Sequence, residues 1–146
     1  MRIAIDATPA LVRSAGVKNY IHHWVRHLRE QARGDQIRVF PFLDDLGELN
    51  HEVSPMGAAA TTARLAFVHA LRNFGPARLD RALGAADVVH ASNLIRAVPR
   101  HAKLTATLHD LTSWLMPDRN TQASCEADFQ FADRILSRAD GLIAVS

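Results

Sequence analysis

A histidine and an aspartate stand together at the end of an apolar run, where a side chain that moves protons could act. His109 and Asp110 follow the run KLTATL at 103–108, which predicts a buried strand. Histidine has an ordinary pKa of about 6.5, so its ring can donate or accept a proton near neutral pH. Because Asp110 cannot easily bond the ring of its own chain neighbour, the pair is not interpreted as a catalytic dyad. The alternative is a histidine that only ends the strand and satisfies a loop carbonyl.

Polar residues also follow three of the other apolar runs. Asp6 ends RIAID, Ser92 and Asn93 follow DVVHA, and Ser146 follows GLIAV. In open α/β sheets, ligands bind beyond the carboxyl ends of the strands, so these residues predict a shared site with His109. The alternative is that strand ends are polar in any fold of this kind.

Apolar runs that predict strands alternate with segments of helical periodicity. The strands are predicted at 2–6, 37–43, 87–91, 103–108 and 141–145, and the helices at 17–33, 61–74, 77–83 and 118–139. In the first helix the apolar residues recur on one face, and they are Tyr20, Ile21, Trp24, Val25 and Leu28. This alternation predicts an α/β fold, a Rossmann-like, doubly wound parallel sheet with helices on both faces. It does not give the order of the strands.

A single glycine precedes the first predicted helix. Gly16 lies ten residues after Asp6. The dinucleotide fingerprint needs G-x-G-x-x-G directly after the strand, so a nicotinamide cofactor is not expected, and no other cofactor is predicted. A glycine before a helix can still let backbone N–H groups approach a phosphate, with help from the helix dipole. A simple turn glycine is the alternative.

Two groups of residues have the composition of a metal site, and neither is interpreted as one. His22, His23 and His27 crowd one predicted helix, but zinc needs three or four ligands in a defined geometry, so a solvated helix face is favoured. The second group is similar to the ligand pattern of metal phosphohydrolases. Those enzymes are all-helical, whereas the residues of this group follow β-branched runs. Those members are His90, His109, Asp110 and Asp140.

The composition is that of one folded domain. Hydrophobic residues make up 48% of the 146 and charged residues 22%, and the net charge of +2 is too small to indicate nucleic-acid binding. Cys125 is the only cysteine, which fits a reducing compartment. The start MRIAIDATP lacks the pattern of a signal peptide and no apolar run approaches about 20 residues, so a cytoplasmic location is predicted. The sequence stops directly after a predicted interior strand, which predicts a truncated domain.

A basic, amphipathic stretch lies at 58–83. Its arginines are Arg64, Arg72, Arg78 and Arg81, against the one acid Asp80, and its interleaved apolar residues are Leu65, Phe67, Val68, Leu71 and Phe74. Such a segment can lie on an anionic membrane surface or hold an anionic acceptor. The favoured alternative is an ordinary surface helix packed through its apolar stripe.

Five blocks of the sequence, taken in order, resemble the N-terminal domain of family 4 glycosyltransferases. They are MRIAIDATP, SAGVKNY, DVVHASN, TLHDLTSWLMPD and ADGLIAVS. The resemblance implies a GT-B architecture, in which two Rossmann-like domains face each other across a cleft. Residues 1–146 would be the acceptor-side domain, and the C-terminal domain that binds the nucleotide-sugar donor is absent from the sequence. It also implies sugar transfer to a hydroxyl acceptor with retention of configuration and without a metal ion.

The resemblance also implies roles for individual residues. His109 would contact the donor sugar at the reacting centre, which makes it the catalytic candidate. The substrate-binding candidates are Gly16 and Val17 near the donor diphosphate or sugar, and Ser92, Asn93 and Asp110 on the acceptor side.

The sequence departs from the family pattern at Lys18, where the family loop often has a second glycine. A lysine there leaves less backbone freedom but would add a charge near a phosphate. Without its second domain the chain is expected to bind nucleotide weakly and not to turn over. The expected acceptor is lipid-linked or a polysaccharide, with contact at the inner membrane face through 58–83. Two alternatives stay open: a stand-alone Rossmann-like module that binds a ligand or a protein, and a flavodoxin-like nucleotide binder.

Overall fold

The chain folds into an α/β structure around one parallel sheet. The computed structural model describes residues 1–43, 45–71, 76–92 and 94–145. The strands are β1 (Arg2–Asp6), β2 (Gln36–Phe40), β3 (Val88–Ala91), β4 (Lys103–Leu108) and β5 (Gly141–Ala144). The helices are α1 (Gly16–Gln31), α2 (Ala58–Leu71), α3 (Pro76–Ala82), α4 (Thr112–Leu115) and α5 (Gln122–Arg134), with 3-10 turns at Thr8–Leu11, Pro117–Arg119 and Leu136–Arg138. The Rossmann-like α/β prediction and its five strands are confirmed.

All neighbouring strands in the sheet are parallel, in the order β2-β1-β3-β4-β5. The order reverses between β1 and β3, because the chain leaves β1 in one direction to build β2 and returns on the other side to build β3. In open parallel sheets, such a reversal opens a crevice at the carboxyl ends of the two strands. A ligand site is therefore expected at that edge of the sheet.

Helices cover both faces of the sheet. Successive strand residues point to opposite faces, so Ala4 and Ile5 belong to different apolar layers. Ile5 packs in the layer of α1, with Ile21 and Val25. Ala4 packs in the layer of α2, α3 and α5, whose buried members are Val68, Leu71, Leu79 and Phe131. The sheet is thus doubly wound, as predicted.

Two element boundaries differ from the prediction for local reasons. The second strand ends at Phe40 rather than Leu43, because Pro41 has no N–H to donate to a ladder. The segment 118–139 is one α-helix flanked by 3-10 turns. Helix α5 begins after Thr121, whose hydroxyl accepts a hydrogen bond from the Ser124 N–H at 3.2 Å, an N-cap that fixes its start.

Within the described part of the chain, the helices are all too short or too polar to cross a membrane.

Candidate functional site

Three of the predicted site residues line one cavity at the carboxyl end of β4. Val17, His109 and Asp110 face a solvent-open cavity of about 120 Å³. Its other lining residues are Thr107, Leu108, Trp114, Asp128 and Phe131. The cavity thus combines the end of a strand with the first turn of α1 and with side chains of α4 and α5. The strand pattern predicted His109 at this edge and the family resemblance named Val17, and both residues line the same cavity.

His109 is half-buried, with its ring edge-to-face against Tyr20 at a centroid distance of 5.0 Å. Burial lowers the pKa of His109, while the negative charges of Asp110 and Asp128 act in the opposite direction. Burial is the larger effect, so the imidazole is neutral at neutral pH. A neutral ring offers one N–H donor and one acceptor nitrogen, which suits orienting a hydroxyl more than supplying charge.

Asp110 begins the turn that leads into α4. Its Oδ1 accepts hydrogen bonds from the N–H of Thr112 at 2.8 Å and from the Thr112 hydroxyl at 2.6 Å. These bonds favour the ionised form and lower the pKa of Asp110. Asp110 therefore contributes a fixed negative charge at the mouth of the cavity, in addition to holding the start of α4.

A series of hydrogen bonds connects Tyr20 to polar groups of β4 and β3. The Tyr20 hydroxyl lies 3.1 Å from Thr107 Oγ1, His90 Nε2 lies 3.0 Å from the same oxygen, and His90 Nδ1 lies 2.9 Å from Thr105 Oγ1. Thr105 in turn donates to the Val89 carbonyl over 3.5 Å. This series therefore links α1 to β4 and β3 directly behind the cavity wall.

The charge state of His90 decides which group donates and which accepts in each of these hydrogen bonds. Burial, and to a smaller degree the nearby charge of His109, lowers the pKa of His90 to about 4, so the ring is neutral at neutral pH. Because Thr105 uses its proton on the Val89 carbonyl, the Nδ1 of His90 donates to Thr105. Nε2 of His90 must then accept from Thr107, and Thr107 accepts from Tyr20. Each of the four protons in this series of hydrogen bonds therefore has one acceptor.

The first turn of α1 forms another wall of the cavity. Ala15 at the N-cap has no side-chain acceptor for the first N–H groups of the helix, and Val17 lines the cavity two residues later. Apart from its two chain neighbours and the nearby backbone of α1, no described heavy atom lies within 4 Å of the place where a Cβ on Gly16 would stand. The fold therefore has room for a side chain at Gly16.

Lys18 does not point toward a ligand. The residue is buried, and its ammonium group donates to the carbonyls of Val12 at 3.3 Å and Val53 at 2.6 Å. Burial lowers the pKa of Lys18. The charge expected near a phosphate is instead used to join the loop before α1 to the loop that precedes α2.

The crevice between β1 and β3 is closed by hydrogen bonds. The carboxylate of Asp6, which is buried, accepts from the Thr8 N–H at 3.0 Å, from the Thr8 hydroxyl and from the Ser92 hydroxyl. Burial raises the pKa of Asp6, against the opposing effect of these bonds. Ser92 is only 1% exposed, so the structure gives it a bond to Asp6, and its contact with a substrate stays a prediction. Asn93 lies outside the described residues.

Asp140 is separated from the other members of its group, whereas the rings of His22 and His23 lie 5.2 Å apart and those of His23 and His27 6.4 Å apart on α1. Asp140 lies at the amino end of β5 and accepts from the Leu104 N–H at 2.9 Å, at the opposite edge of the sheet from His109. His22 donates to the Gly47 carbonyl at 3.0 Å, and His27 lies 3.0 Å from a Glu30 oxygen. Among the described residues, no group of three or more potential ligands is placed to hold a metal ion.

The described part of the basic stretch 58–83 is packed through its apolar side. Val68 and Leu71 of α2 and Leu79 of α3 are buried in the apolar layer that these helices form with the sheet. Arg64 donates through Nε to the Pro41 carbonyl at 3.1 Å. The residues between α2 and α3, among them Arg72 and Phe74, lie outside the described residues. The ordinary surface helix gains support, and membrane contact through this stretch stays a prediction.

Several residues that line the cavity or contact His109 were not among the predicted site residues. Tyr20 was assigned to the apolar face of α1, which is correct, but its hydroxyl carries the contact to Thr107. Trp114 and Asp128 reach the cavity from α4 and α5, and their local sequence carries no signal of that. The alternation of Thr105 and Thr107 in β4 is the one available hint, because it places two hydroxyls on one face of a buried strand.

Comparisons of the chain with protein-family models, with curated proteins and with solved structures found no match.

Proposed function

We propose that this chain is the acceptor-side domain of a retaining, metal-independent glycosyltransferase of GT-B architecture, which moves a sugar from a nucleotide-sugar donor to a hydroxyl acceptor. The observation that carries the proposal is the shared cavity of His109 and Val17 at the carboxyl edge of a Rossmann-like sheet. Both residues belong to the blocks that resemble family 4 glycosyltransferases. Their spatial proximity is what this function requires.

The first turn of α1 suits the diphosphate of the donor. The helix is 16 residues long, and its amino end carries partial positive charge and N–H groups that Ala15 cannot cap. Open space at Gly16 would let a phosphate come close to the backbone. Stabilising the leaving diphosphate is the main electrostatic task of such an enzyme.

His109 would orient the sugar at the reacting centre. Its neutral ring can donate one hydrogen bond and accept another, and the contact with Tyr20 restricts its position. Asp110 carries a negative charge beside it and would accept from an acceptor hydroxyl. These roles are those of positioning groups, and the proposal assigns neither His109 nor Asp110 the role of a nucleophile.

The proposal includes a second domain that supplies the remaining donor-binding groups, and activity at the cytoplasmic side of the inner membrane. The acceptor is a hydroxyl compound, with a lipid-linked molecule or a polysaccharide as candidates. Ser92 and Asn93 remain proposed acceptor-side residues.

The test is transfer activity of the complete protein with a panel of nucleotide sugars. His109→Ala is expected to lower kcat/KM by about 100-fold or more, as loss of one group aligned with the reacting centre commonly does. His69→Ala is the matched control, because His69 is an exposed histidine on α2. If His109→Ala and His69→Ala both transfer at the wild-type rate, His109 has no role in transfer and the proposal fails.

A second candidate, a flavodoxin-like nucleotide binder, is favoured by the order β2-β1-β3-β4-β5, which that fold shares. Such domains bind flavin at the reversal between β1 and β3. Here Asp6, Thr8 and Ser92 use their polar groups on each other at that reversal. Calorimetric titration with FMN separates the candidates: saturable binding that survives His109→Ala favours the flavodoxin-like module.

A further inference from the structure

We propose that the surface beside the cavity binds the apolar part of a neutral amphipathic acceptor. This surface, here named the apolar shelf, consists of Leu111, Trp114, Leu115, Met116 and Phe129. The inference rests on the proposed function and adds the chemical class of the acceptor to it.

The apolar shelf is a concentration of exposed apolar side chains. Leu111 is 44% exposed, Leu115 72%, Met116 46% and Phe129 45%. Scattered exposed apolar residues are normal, whereas a contiguous group beside a cavity marks a binding surface. Leu111, Leu115 and Met116 lie in one short segment, and Phe129 joins them from α5.

The apolar shelf is continuous with the cavity of His109. Trp114 lines the cavity, and its ring meets the Phe129 ring at a centroid distance of 5.6 Å. Leu111 directly follows Asp110, and the Leu115 N–H donates to the Leu111 carbonyl at 2.9 Å, which holds the segment as one turn. Trp114 therefore connects the cavity to Phe129 and to the turn that carries Leu111 and Leu115.

The size of the cavity requires a second contact surface. Sites that enclose a small-molecule ligand have volumes of roughly 300–1,000 Å³. This cavity has about 120 Å³, which admits the reacting end of a ligand and leaves the rest outside. The part that remains outside meets apolar side chains, so an alkyl or aryl group is the complement they select.

The charges around the apolar shelf select against an anion. The segment 110–129 carries four carboxylates, from Asp110, Asp118, Glu126 and Asp128, and one cation, Arg119. Arg96 adds a second cation nearby, where its guanidinium donates to the Ala127 carbonyl and lies 5.7 Å from the Phe131 ring. The excess of negative charge favours an uncharged acceptor over a phosphorylated one.

The experiment is an NMR titration of the 146-residue chain with n-octyl β-D-glucopyranoside below its micelle concentration. Saturable shifts are expected for the amides of 111–116, for Phe129 and for the Trp114 indole. Methyl β-D-glucopyranoside, which lacks the alkyl chain, and octyl phosphate, which is anionic, are each expected to bind at least about fivefold more weakly. Equal affinity for octyl phosphate would overturn the neutral acceptor.

Variants separate the apolar shelf from other apolar surfaces. Leu115→Gln and Phe129→Gln are each expected to weaken octyl glucoside binding about fivefold or more, because each removes exposed apolar contact area. Leu142→Gln is the matched control, since Leu142 is 57% exposed on β5 and does not line the cavity. If all three variants bind as the wild type does, the inference is wrong.

Two other occupants have distinct outcomes. A dimer seen by analytical ultracentrifugation that Leu115→Gln dissociates would assign the apolar shelf to a second copy of the chain. Binding to phosphatidylcholine vesicles without binding to monomeric octyl glucoside would assign it to a lipid surface. Either result overturns the inference. Binding is measured without a donor, so octyl glucoside binding can be absent while His109-dependent transfer persists. Transfer at the wild-type rate in His109→Ala would remove the proposed function and leave the binding result unchanged.

Discussion

His109 stands edge-to-face against Tyr20, and the Tyr20 hydroxyl lies 3.1 Å from Thr107 Oγ1. Tyr20 of α1 thus holds His109 in position, and Thr107 of β4 holds Tyr20. The two contacts of Tyr20 can be removed separately, which makes their roles testable.

Tyr20→Phe is expected to lower the free energy of unfolding by about 1 kcal/mol, because it removes the hydroxyl contact to Thr107 and keeps the ring. Tyr20→Leu is expected in addition to raise the pKa of His109 toward 6.5, because it exposes the imidazole. Urea denaturation and NMR titration of the His109 ring measure these effects. An unchanged His109 pKa in Tyr20→Leu would contradict the proposed screening by Tyr20.

His90 predicts a pH dependence of stability. Its pKa is about 4 in the folded protein, against an ordinary value of 6.5. Between these values the unfolded chain binds a proton that the folded chain does not, so stability falls as pH decreases from 6.5 to 4. Above pH 6.5 both states are neutral at His90, and its contribution is constant. The loss is on the order of 3 kcal/mol over this range.

Urea denaturation of the wild type and of His90→Gln between pH 7 and pH 4 measures this slope. Asp6 contributes with the opposite sign, since its pKa is raised and its folded form gains stability as pH decreases. The difference between the two proteins isolates His90, because Asp6 is common to both. Parallel pH profiles would show that His90 is not buried in its neutral form.

Ser92→Ala is expected to cost about 1 kcal/mol of stability, because the hydroxyl donates to the buried Asp6 carboxylate. Asp6→Ala is expected to cost about 3 kcal/mol, since it leaves the donors of Thr8 and Ser92 without their acceptor. Thermal denaturation and transfer assays are compared for both variants. A loss of transfer in Ser92→Ala at unchanged stability would instead identify Ser92 as a substrate contact.

Gly16→Ala is expected to leave stability unchanged or to raise it by up to about 1 kcal/mol, because there is open space for a methyl group and the unfolded chain loses freedom. Donor binding is expected to weaken, because the methyl group occupies the space that a phosphate would use. Gly34→Ala is the matched control: Gly34 has a φ of 85°, and alanine there is expected to destabilise the chain. Full donor affinity in Gly16→Ala would remove the backbone at Gly16 from the proposed site.

Lys18→Met keeps the aliphatic stem and removes the ammonium group that donates to the Val12 and Val53 carbonyls. We expect a loss of about 1–3 kcal/mol, because two carbonyls of the connected loops lose their charged donor. Hydrogen exchange is expected to accelerate in 45–56 more than in α5. Uniform acceleration across the chain would mean that Lys18 stabilises the whole domain rather than these loops.

The alternation of apolar runs and helical stripes was enough to predict the five strands, the doubly wound sheet and the inner face of α1. These features depend on local periodicity, which the burial of one face imposes on the sequence itself. The position of His109 and Asp110 at the carboxyl ends of the strands also followed, because parallel strands share a direction, whereas Val17 was named through the family resemblance. Local patterns therefore predicted the fold class, and the use of this edge as a site stays a prediction.

Contacts between distant segments could not be predicted in this way. Ser92 bonds Asp6 across 86 residues of sequence, and Lys18 bonds Val53 across 35. Neither residue carries a local signal of its partner, since a serine after a strand and a lysine in a first turn are ordinary in exposed positions. Asp128 reaches the cavity because of how α5 packs, which depends on the whole apolar layer under it.

The hydrogen bond from Tyr20 to Thr107 also fixes the position of α1 along the sheet. Apolar side chains tolerate many relative offsets, and one helical turn moves a helix by 5.4 Å. Such a slip would break the hydrogen bond between the Tyr20 hydroxyl and Thr107, at a cost of about 1 kcal/mol. The hydrogen bond between Tyr20 and Thr107 therefore favours one position of α1 along its axis. That position sets the distance between the first turn of α1 and His109 before any ligand binds.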